Sequence, residues 1–159
     1  MVRDALDETD RGILHLLQED ARTITTAEMA DAIGVSASTV RNRIGRLEAD
    51  GVLRGYHPEI DYERAGYQLH MVFICCAPVE ERAELVAEAM GIEGVVTVRE
   101  MLTGSANVHI EGVGADSEMV DRISARLTRI GLEIESTDVV KTLHRQPFNH
   151  FGTEPVDGE

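Results

Sequence analysis

Basic charge is scarce in this sequence, and lysine is almost absent from it. The chain carries 29 acidic and 15 basic side chains in 159 residues, and Lys141 is its single lysine. The acids are spread along the whole chain. Such acidity indicates a surface adapted to a salt-loaded cytosol. A pI near 4.8 ordinarily argues against a nucleic-acid partner. At about 1 M salt, however, long-range electrostatic fields are screened within ~3 Å, so only the charges on the local contact surface determine whether the protein can bind DNA.

The sequence also lacks long apolar runs, and it has no pair of cysteines that are separated along the chain. The sequence has no stretch of 18 apolar residues and no apolar segment near its start. These absences argue against a membrane partner and a secretory signal, and predict a cytoplasmic protein. The two cysteines, Cys75 and Cys76, are adjacent in an apolar run. Neighbours on a strand point to opposite faces, so we predict buried free thiols, which suit a reducing compartment.

Three helices are predicted in the first 50 residues. A stripe of leucine and isoleucine predicts a helix over 4–19. Thr25 or Thr26 can cap a short second helix, and Ser36 can cap a third from about Ala37 to Asp50. The tight turn "GVS" between the second and third helices is typical of a helix-turn-helix, whose second helix enters the major groove of DNA.

The third helix lies in an acid-free window that extends from residue 32 to residue 47. On a helical wheel Val40, Ile44 and Leu47 form a buried stripe, and the opposite half carries hydroxyl, guanidinium and amide groups. Arginine can bond guanine, asparagine can bond adenine, and a carboxylate there would repel phosphate. The alternative is a solvated face that lacks acids by chance. The predicted DNA-binding residues are Ser36, Ser38, Thr39, Arg41, Asn42, Arg43 and Arg46.

Two residues of this helix have distinct expected roles. Arg43 lies near the edge of the buried stripe, from which its long side chain can extend to a phosphate. Gly45 removes a side chain at a point where a DNA backbone can come close.

The second half of the chain changes from helical to mixed periodicity. Strands are predicted over 67–77, 95–103, 106–113 and 133–145, and helices over 80–90 and 116–130. A "GS" hairpin turn separates the second and third strands. The order βαββαβ is that of a ferredoxin-like unit. The predicted fold class is therefore α+β, with an N-terminal winged helix-turn-helix followed by a ferredoxin-like βαββαβ domain.

The stretch "LDETDRGILHLLQEDARTITTAEMADAIGVSASTVRNRIGRLEADGVLRGYHPEIDYERAGY" resembles the N-terminal half of the Lrp/AsnC, or feast/famine, transcription regulators. The resemblance extends over roughly 4–146 and favours a haloarchaeal-type acidic member. It implies a sequence-specific regulator that binds double-stranded DNA as a homodimer or octamer. The implied domains are 1–51 for DNA binding, 52–66 as strand and connector, 67–146 for effector binding and oligomerisation, and 147–159 as a tail that frays from Gly152.

The resemblance also implies pairing and ligand sites. In relatives, the strand equivalent to Val52–Ile60 pairs with its counterpart across the dimer. An amino-acid effector binds near the turn between the second and third strands, where relatives often carry Gly-x-x-Asp. Here asparagine replaces the acid, so a carboxylate for an ammonium group is missing. The stretch is either a plain hairpin turn or an effector site. The candidate effector residues are Thr103, Gly104, Ser105 and Asn107.

Other classes of function are also considered. The sequence contains no GxSxG, P-loop, GxGxxG or HExxH, so an enzyme is not expected. The charges of Asp10, His15 and Glu19 on the first helix are interpreted as solvated. A nucleoid-organising DNA-binding protein without a small-molecule effector is the alternative, and a footprint distinguishes the two because an organiser coats DNA broadly.

A metal site is a further alternative. The first and third strands of a ferredoxin-like sheet are neighbours, so His70 and His109 can share a face with Cys76. Their spacing matches no metal motif, and the prediction is that no metal is bound.

Overall fold

The computed structural model describes residues 6–148 and 151. The chain divides into two compact units. The first contains residues up to Pro58 together with the C-terminal segment from His144, and the second contains Glu59–Leu143. The prediction that the tail frays from Gly152 concerns residues outside the described part.

Three helices build the first unit, and their ends follow from capping side chains. They are α1 (Glu8–Glu19), α2 (Thr26–Ile33) and α3 (Ala37–Ala49). The carboxylate of Asp7 caps α1, which therefore begins at Glu8 and not at the predicted residue 4. Thr25 caps α2, and Ser36 caps α3 as predicted. Side chains from all three helices form one core, whose buried members are Ile13, Leu14, Met29, Ala30, Val40 and Leu47.

The C-terminal segment contributes to this same unit. Phe151 packs against the helical core, and its ring meets that of Phe148 edge to face at 5.0 Å between centroids. The backbone N–H of Phe148 donates to Oε1 of Gln18 at 3.1 Å. Part of the segment assigned to a tail is thus a packed element of the first unit.

The expected strand over Val52–Ile60 is not formed in this chain. Residues 52–60 adopt no regular structure, and Val52, Tyr56 and Ile60 are exposed. A strand exists only through hydrogen bonds to a neighbouring strand. The resemblance places the expected neighbour in a second copy, and within this chain the N–H groups of Val52 and Leu53 instead donate to the carbonyl of Leu47 at 2.9 and 3.0 Å.

The second unit has the predicted ferredoxin-like order. Its elements are β1 (Leu69–Cys76), α4 (Arg82–Met90), β2 (Val95–Glu100), β3 (Val108–Gly114), α5 (Ser117–Ile130) and β4 (Glu133–Val139). The strands form one antiparallel sheet in the order β2-β3-β1-β4. Phe73, Ile110 and Leu127 are fully buried in the core that the sheet shares with its helices.

Two strands end earlier than predicted, because their backbone pairing with the neighbouring strand ends there. The strand predicted to reach Arg145 ends at Val139, where its register with β1 ends opposite Met71. The predicted "GS" hairpin is wrong, since β2 ends at Glu100 and β3 begins at Val108. The seven-residue loop 101–107 is closed by the N–H of Met101, which donates to the carbonyl of Asn107 at 2.9 Å.

Gly94 fixes the approach of the chain to β2. Its φ of +92° lies in the left-handed region, and an added Cβ would lie 2.8 Å from Cδ1 of Ile123 and 2.9 Å from the carbonyl oxygen of Val113. Only glycine fits this backbone and this close contact.

Candidate nucleic-acid interface

The exposed face of α3 matches the helical wheel drawn from the sequence. Val40 and Leu47 are buried, whereas Ser38, Arg41 and Asn42 are exposed. Within residues 6–148 and 151, the side chains of Arg41 and Asn42 have no hydrogen bond or ion pair. Both are therefore free to bond a partner outside the unit.

Three hydroxyl groups cluster at the start of α3. Oγ of Ser36 accepts the backbone N–H of Thr39 at 3.1 Å. It also lies 2.8 Å from Oγ of Ser38 and 2.8 Å from Oγ1 of Thr39. Ser36 is thus engaged as the helix cap, and its bonds orient the neighbouring hydroxyls.

The remaining two arginines of α3 meet a buried carboxylate of α1. Asp10 is fully buried, with 0% of its surface exposed. Nη1 of Arg43 donates to Oδ1 of Asp10 at 3.1 Å and to Oδ2 of Asp7 at 2.5 Å. Nη2 of Arg46 donates to Oδ2 of Asp10 at 2.8 Å. We define Asp7, Asp10, Arg43 and Arg46 as the inter-helix ion cluster.

This cluster changes two expectations. The interpretation of Asp10 as a solvated charge is wrong, because the side chain lies in the interior of the unit. Arg43 is bonded to two carboxylates and 27% of its side chain is exposed, so a phosphate would compete with these bonds. The sequence does hold a signal for the burial, since Asp10 precedes Ile13 and Leu14 by three and four residues and shares their helical face.

Hydrogen bonds and charge shift the ionisation of the cluster. The backbone N–H of Asp10 donates to the Asp7 carboxylate, and with the Arg43 guanidinium it lowers the pKa of Asp7. The bond to Asp7, followed by that to Asp10, raises the pKa of Arg43. Both partners are thereby held in their charged forms.

The candidate effector residues separate into two groups. Thr103, Gly104 and Ser105 are exposed in the loop 101–107. Asn107 is 7% exposed, and its amide oxygen accepts the N–H of Ala77 at 2.9 Å while its amide nitrogen donates to the carbonyl of Ala77 at 2.8 Å. The buried side chain of Asn107 therefore joins the end of the loop to the backbone of Ala77, which directly follows β1.

His70 and His109, the two histidines considered for a metal site, lie on the neighbouring strands β1 and β3. His109 lies opposite Ile74 in the β1–β3 register, four residues along β1 from His70. No group of three or more potential ligands that could hold a metal occurs in the described part of the chain. His70 instead lies 3.5 Å from Glu111, which also bonds Arg99.

Both thiols are free, as predicted, but only Cys75 is buried, because Cys76 points to the opposite face of β1 and is partly exposed. Sγ of Cys76 donates to Oε1 of Glu135 at 2.8 Å, which contributes most to raising the pKa of Cys76 to about 11. Burial raises the pKa of Cys75 to about 11 as well. Neither thiol therefore ionises near neutral pH.

Comparison with known proteins agrees with this architecture. Residues 6–54 match the family described as winged helix-turn-helix DNA-binding. The leucine-responsive regulatory protein of Rhizobium meliloti is 32% identical over 148 residues, which cover 90% of each chain. The structure of an AsnC family transcriptional regulator from Agrobacterium tumefaciens is similar, with 26% identity, a TM-score of 0.70 and coverage of 96% of this chain and 98% of that one.

A third protein is similar in fold alone. The transcriptional regulator from Neisseria meningitidis that was solved as a complex with L-Met has a TM-score of 0.74 at 19% identity, covering 96% of this chain and 98% of that chain.

A winged helix-turn-helix unit carried in one chain with a ferredoxin-like unit defines a DNA-binding transcription regulator. The identity and coverage shared with the leucine-responsive relative give the finer assignment. The chain belongs to the Lrp/AsnC family of transcription regulators. Among the residues described, none of the helices has the length and apolar character that a bilayer crossing requires.

Proposed function

We propose that this regulator reads its DNA sites with the exposed face of α3. The observation that carries the proposal is that Arg41 and Asn42 are exposed, bond no described residue and lie in the acid-free part of α3, whose one carboxylate, Glu48, is in the last turn. In the major groove, Arg41 would bond guanine and Asn42 adenine, while Ser38 and Thr39 would contact bases or phosphates. Arg46, whose side chain is half exposed, is the second candidate base reader.

Replacing Arg41 tests this assignment. We expect Arg41→Ala to weaken binding to a cognate site by about 1–3 kcal/mol and to relax specificity at one base pair. Arg129→Ala is the matched control, because Arg129 is an exposed arginine in the last turn of α5 in the second unit. Equal affinity and specificity of the Arg41 variant and the control would show that the reading face is elsewhere.

We propose further that the protein acts as a homodimer or a larger assembly on pseudo-palindromic sites. The segment around Val52, Tyr56 and Ile60 has exposed apolar side chains, which a second copy could cover as a strand pair. Light scattering across a range of concentrations tests this, and a monomer at micromolar concentration would contradict it.

An amino-acid effector is the proposed ligand of the loop 101–107, with Thr103, Gly104 and Ser105 as its contacts and Asn107 as the internal support. The support comes from the L-Met complex of the Neisseria protein and the name of the Rhizobium relative. A thermal-shift panel of amino acids in molar KCl tests it, since a ligand at ~100 times its dissociation constant adds about 2.7 kcal/mol. A flat panel would favour a DNA-organising protein without an effector, which a broad footprint would then identify.

The composition supports a further proposal, a haloarchaeal-type regulator that works in a salt-loaded cytoplasm. Its 14 arginines, one lysine and 29 acids suit hydration at high salt. A melting temperature that rises steeply from 0.1 M to about 2 M KCl is expected. A constant melting temperature would contradict salt adaptation.

A further inference from the structure

We infer that Asp10 is a positioning residue for DNA recognition. Its carboxylate holds the Arg46 guanidinium on the reading face. It also binds Arg43, and this second bond links α3 to α1. This inference rests on the proposed reading face of α3. It concerns a residue of α1, a helix that carries none of the predicted DNA contacts.

Both oxygens of Asp10 are used inside the unit. Oδ1 accepts from Arg43, and Oδ2 accepts from Arg46 and from the backbone N–H of Asp7 at 3.3 Å. A buried carboxylate is costly unless it is paired and hydrogen-bonded. A neutral amide could serve the helix cap without that cost. The choice of aspartate at this position is therefore explained by its bonds to the two arginines.

The two arginines are held to different extents. Arg43 donates to two carboxylates and is mostly covered, with 27% of its side chain exposed. Among the described residues the Arg46 side chain bonds one partner, Asp10, and 49% of the side chain is exposed. A guanidinium has five N–H donors, so Arg46 keeps most of them for a base. Because one nitrogen is already fixed, less side-chain freedom is lost when the rest bind.

The same contacts explain the charge pattern of the sequence. The carboxylates of Asp10 in α1 and of Asp7, its N-cap, carry as much negative charge as the two α3 guanidinium groups of the inter-helix ion cluster carry positive charge. Arg41 is then the arginine of α3 that has no acidic partner in the described residues. Residues 32–47 contain no acid of their own, so the carboxylates that pair with Arg43 and Arg46 come from Asp7 and Asp10 at the start of the chain.

Double-mutant cycles separate positioning from structural support. The variants are Asp10→Asn, Arg46→Gln and Arg43→Gln, and the two pairs that contain Asp10→Asn. Each is measured for its melting temperature and for the ratio of affinities for a cognate site and its single-base variants. All binding is measured at a temperature at which circular dichroism shows the variant to be folded.

We expect Asp10→Asn and Arg46→Gln each to lower discrimination about tenfold at the same base pair. Their combination should lose little more than either alone, because both remove one arrangement. Arg43→Gln should lower the melting temperature, because Asp7 and Asp10 lose its bonds. Arg129→Gln, at an exposed arginine of α5 in the second unit, is the matched control and should leave discrimination unchanged. Unchanged discrimination in folded Asp10→Asn, or additive losses in the pair, would overturn the inference.

A measurement on the wild-type protein avoids variants that fail to fold. The nitrogen-15 order parameter of the Arg46 side chain should be well above that of Arg41, which has no partner among the described residues. Equal order parameters would overturn the positioning role. If Arg41→Ala changes discrimination and Arg46→Gln does not, the reading face stands and the inference fails. If neither changes it, the proposed face itself is wrong.

Discussion

Adding one methyl group at Gly45 should stabilise the protein and weaken its binding to DNA. Gly45 lies inside α3 between Arg41 and Arg46, and it is exposed. A Cβ built at this position has no heavy atom within 4 Å. Glycine inside a helix costs about 0.5–1 kcal/mol relative to alanine. Gly45→Ala should therefore raise the free energy of unfolding of the first unit by about that amount.

The effect on DNA binding should have the opposite sign. If α3 enters the major groove with this face, the new methyl group meets DNA where glycine allowed close approach. Forcing a methyl group into a closely packed contact costs about 1–3 kcal/mol. The affinity should fall roughly 5- to 150-fold, with the salt dependence unchanged because no charge is altered.

Urea unfolding and competitive binding to a cognate site provide the two measurements. Thr128→Ala is the control, since it improves helix propensity at an exposed position of α5 in the second unit. We expect the control to leave DNA affinity unchanged. A Gly45→Ala protein that is more stable and binds DNA as tightly as the wild type would refute close approach at this position. A less stable one would refute the steric reasoning.

Three further outcomes follow from the structure. Asn107→Ala should destabilise the second unit by about 1–3 kcal/mol in thermal melts, because it leaves both backbone groups of Ala77 without their partners; a melt like that of Ser105→Ala would contradict this. Gly94→Ala should cost about 2 kcal/mol or more in urea unfolding, from a positive φ and a contact under 3.0 Å; a neutral variant would show that the chain shifts easily. The folded pKa of Asp7 is depressed, so its contribution to stability is complete above the unfolded pKa of about 3.9 and is lost as pH falls through the folded pKa. Asp7→Asn should flatten the fall in stability below about pH 4, and an unchanged pH profile would be the contrary result.

Local signals in the sequence predicted most of the fold. Helical stripes and capping residues located the three helices of the first unit, with Thr25 and Ser36 as caps. Alternation and turn residues gave the order βαββαβ, which the antiparallel sheet confirms. These features depend on neighbours within a few residues, so one sequence is enough to reveal them.

The features that were missed depend on partners far away in sequence. Arg43 and Arg46 lie 33 and 36 residues from Asp10, and a wheel drawn for one helix does not show what another helix presents to it. Asn107 is a candidate effector residue because of its place in the Gly-x-x-Asp pattern, and that pattern does not reveal its two bonds to Ala77, which lies 30 residues away. The strand over Val52–Ile60 was predicted from its apolar residues, but its formation requires a neighbour that one chain does not supply.

The packing of Phe151 on the helical core also has a consequence for synthesis. A ribosome makes the three helices first and then the whole second unit, and Phe151 follows after about 90 further residues beyond Pro58. Domains that are contiguous in sequence can finish folding as they emerge. Here Phe151 can pack against the core of the first unit only after the second unit has been synthesised. A protein released before this residue would carry the reading helix and the buried core of the three helices, without the aromatic side chain that packs against that core.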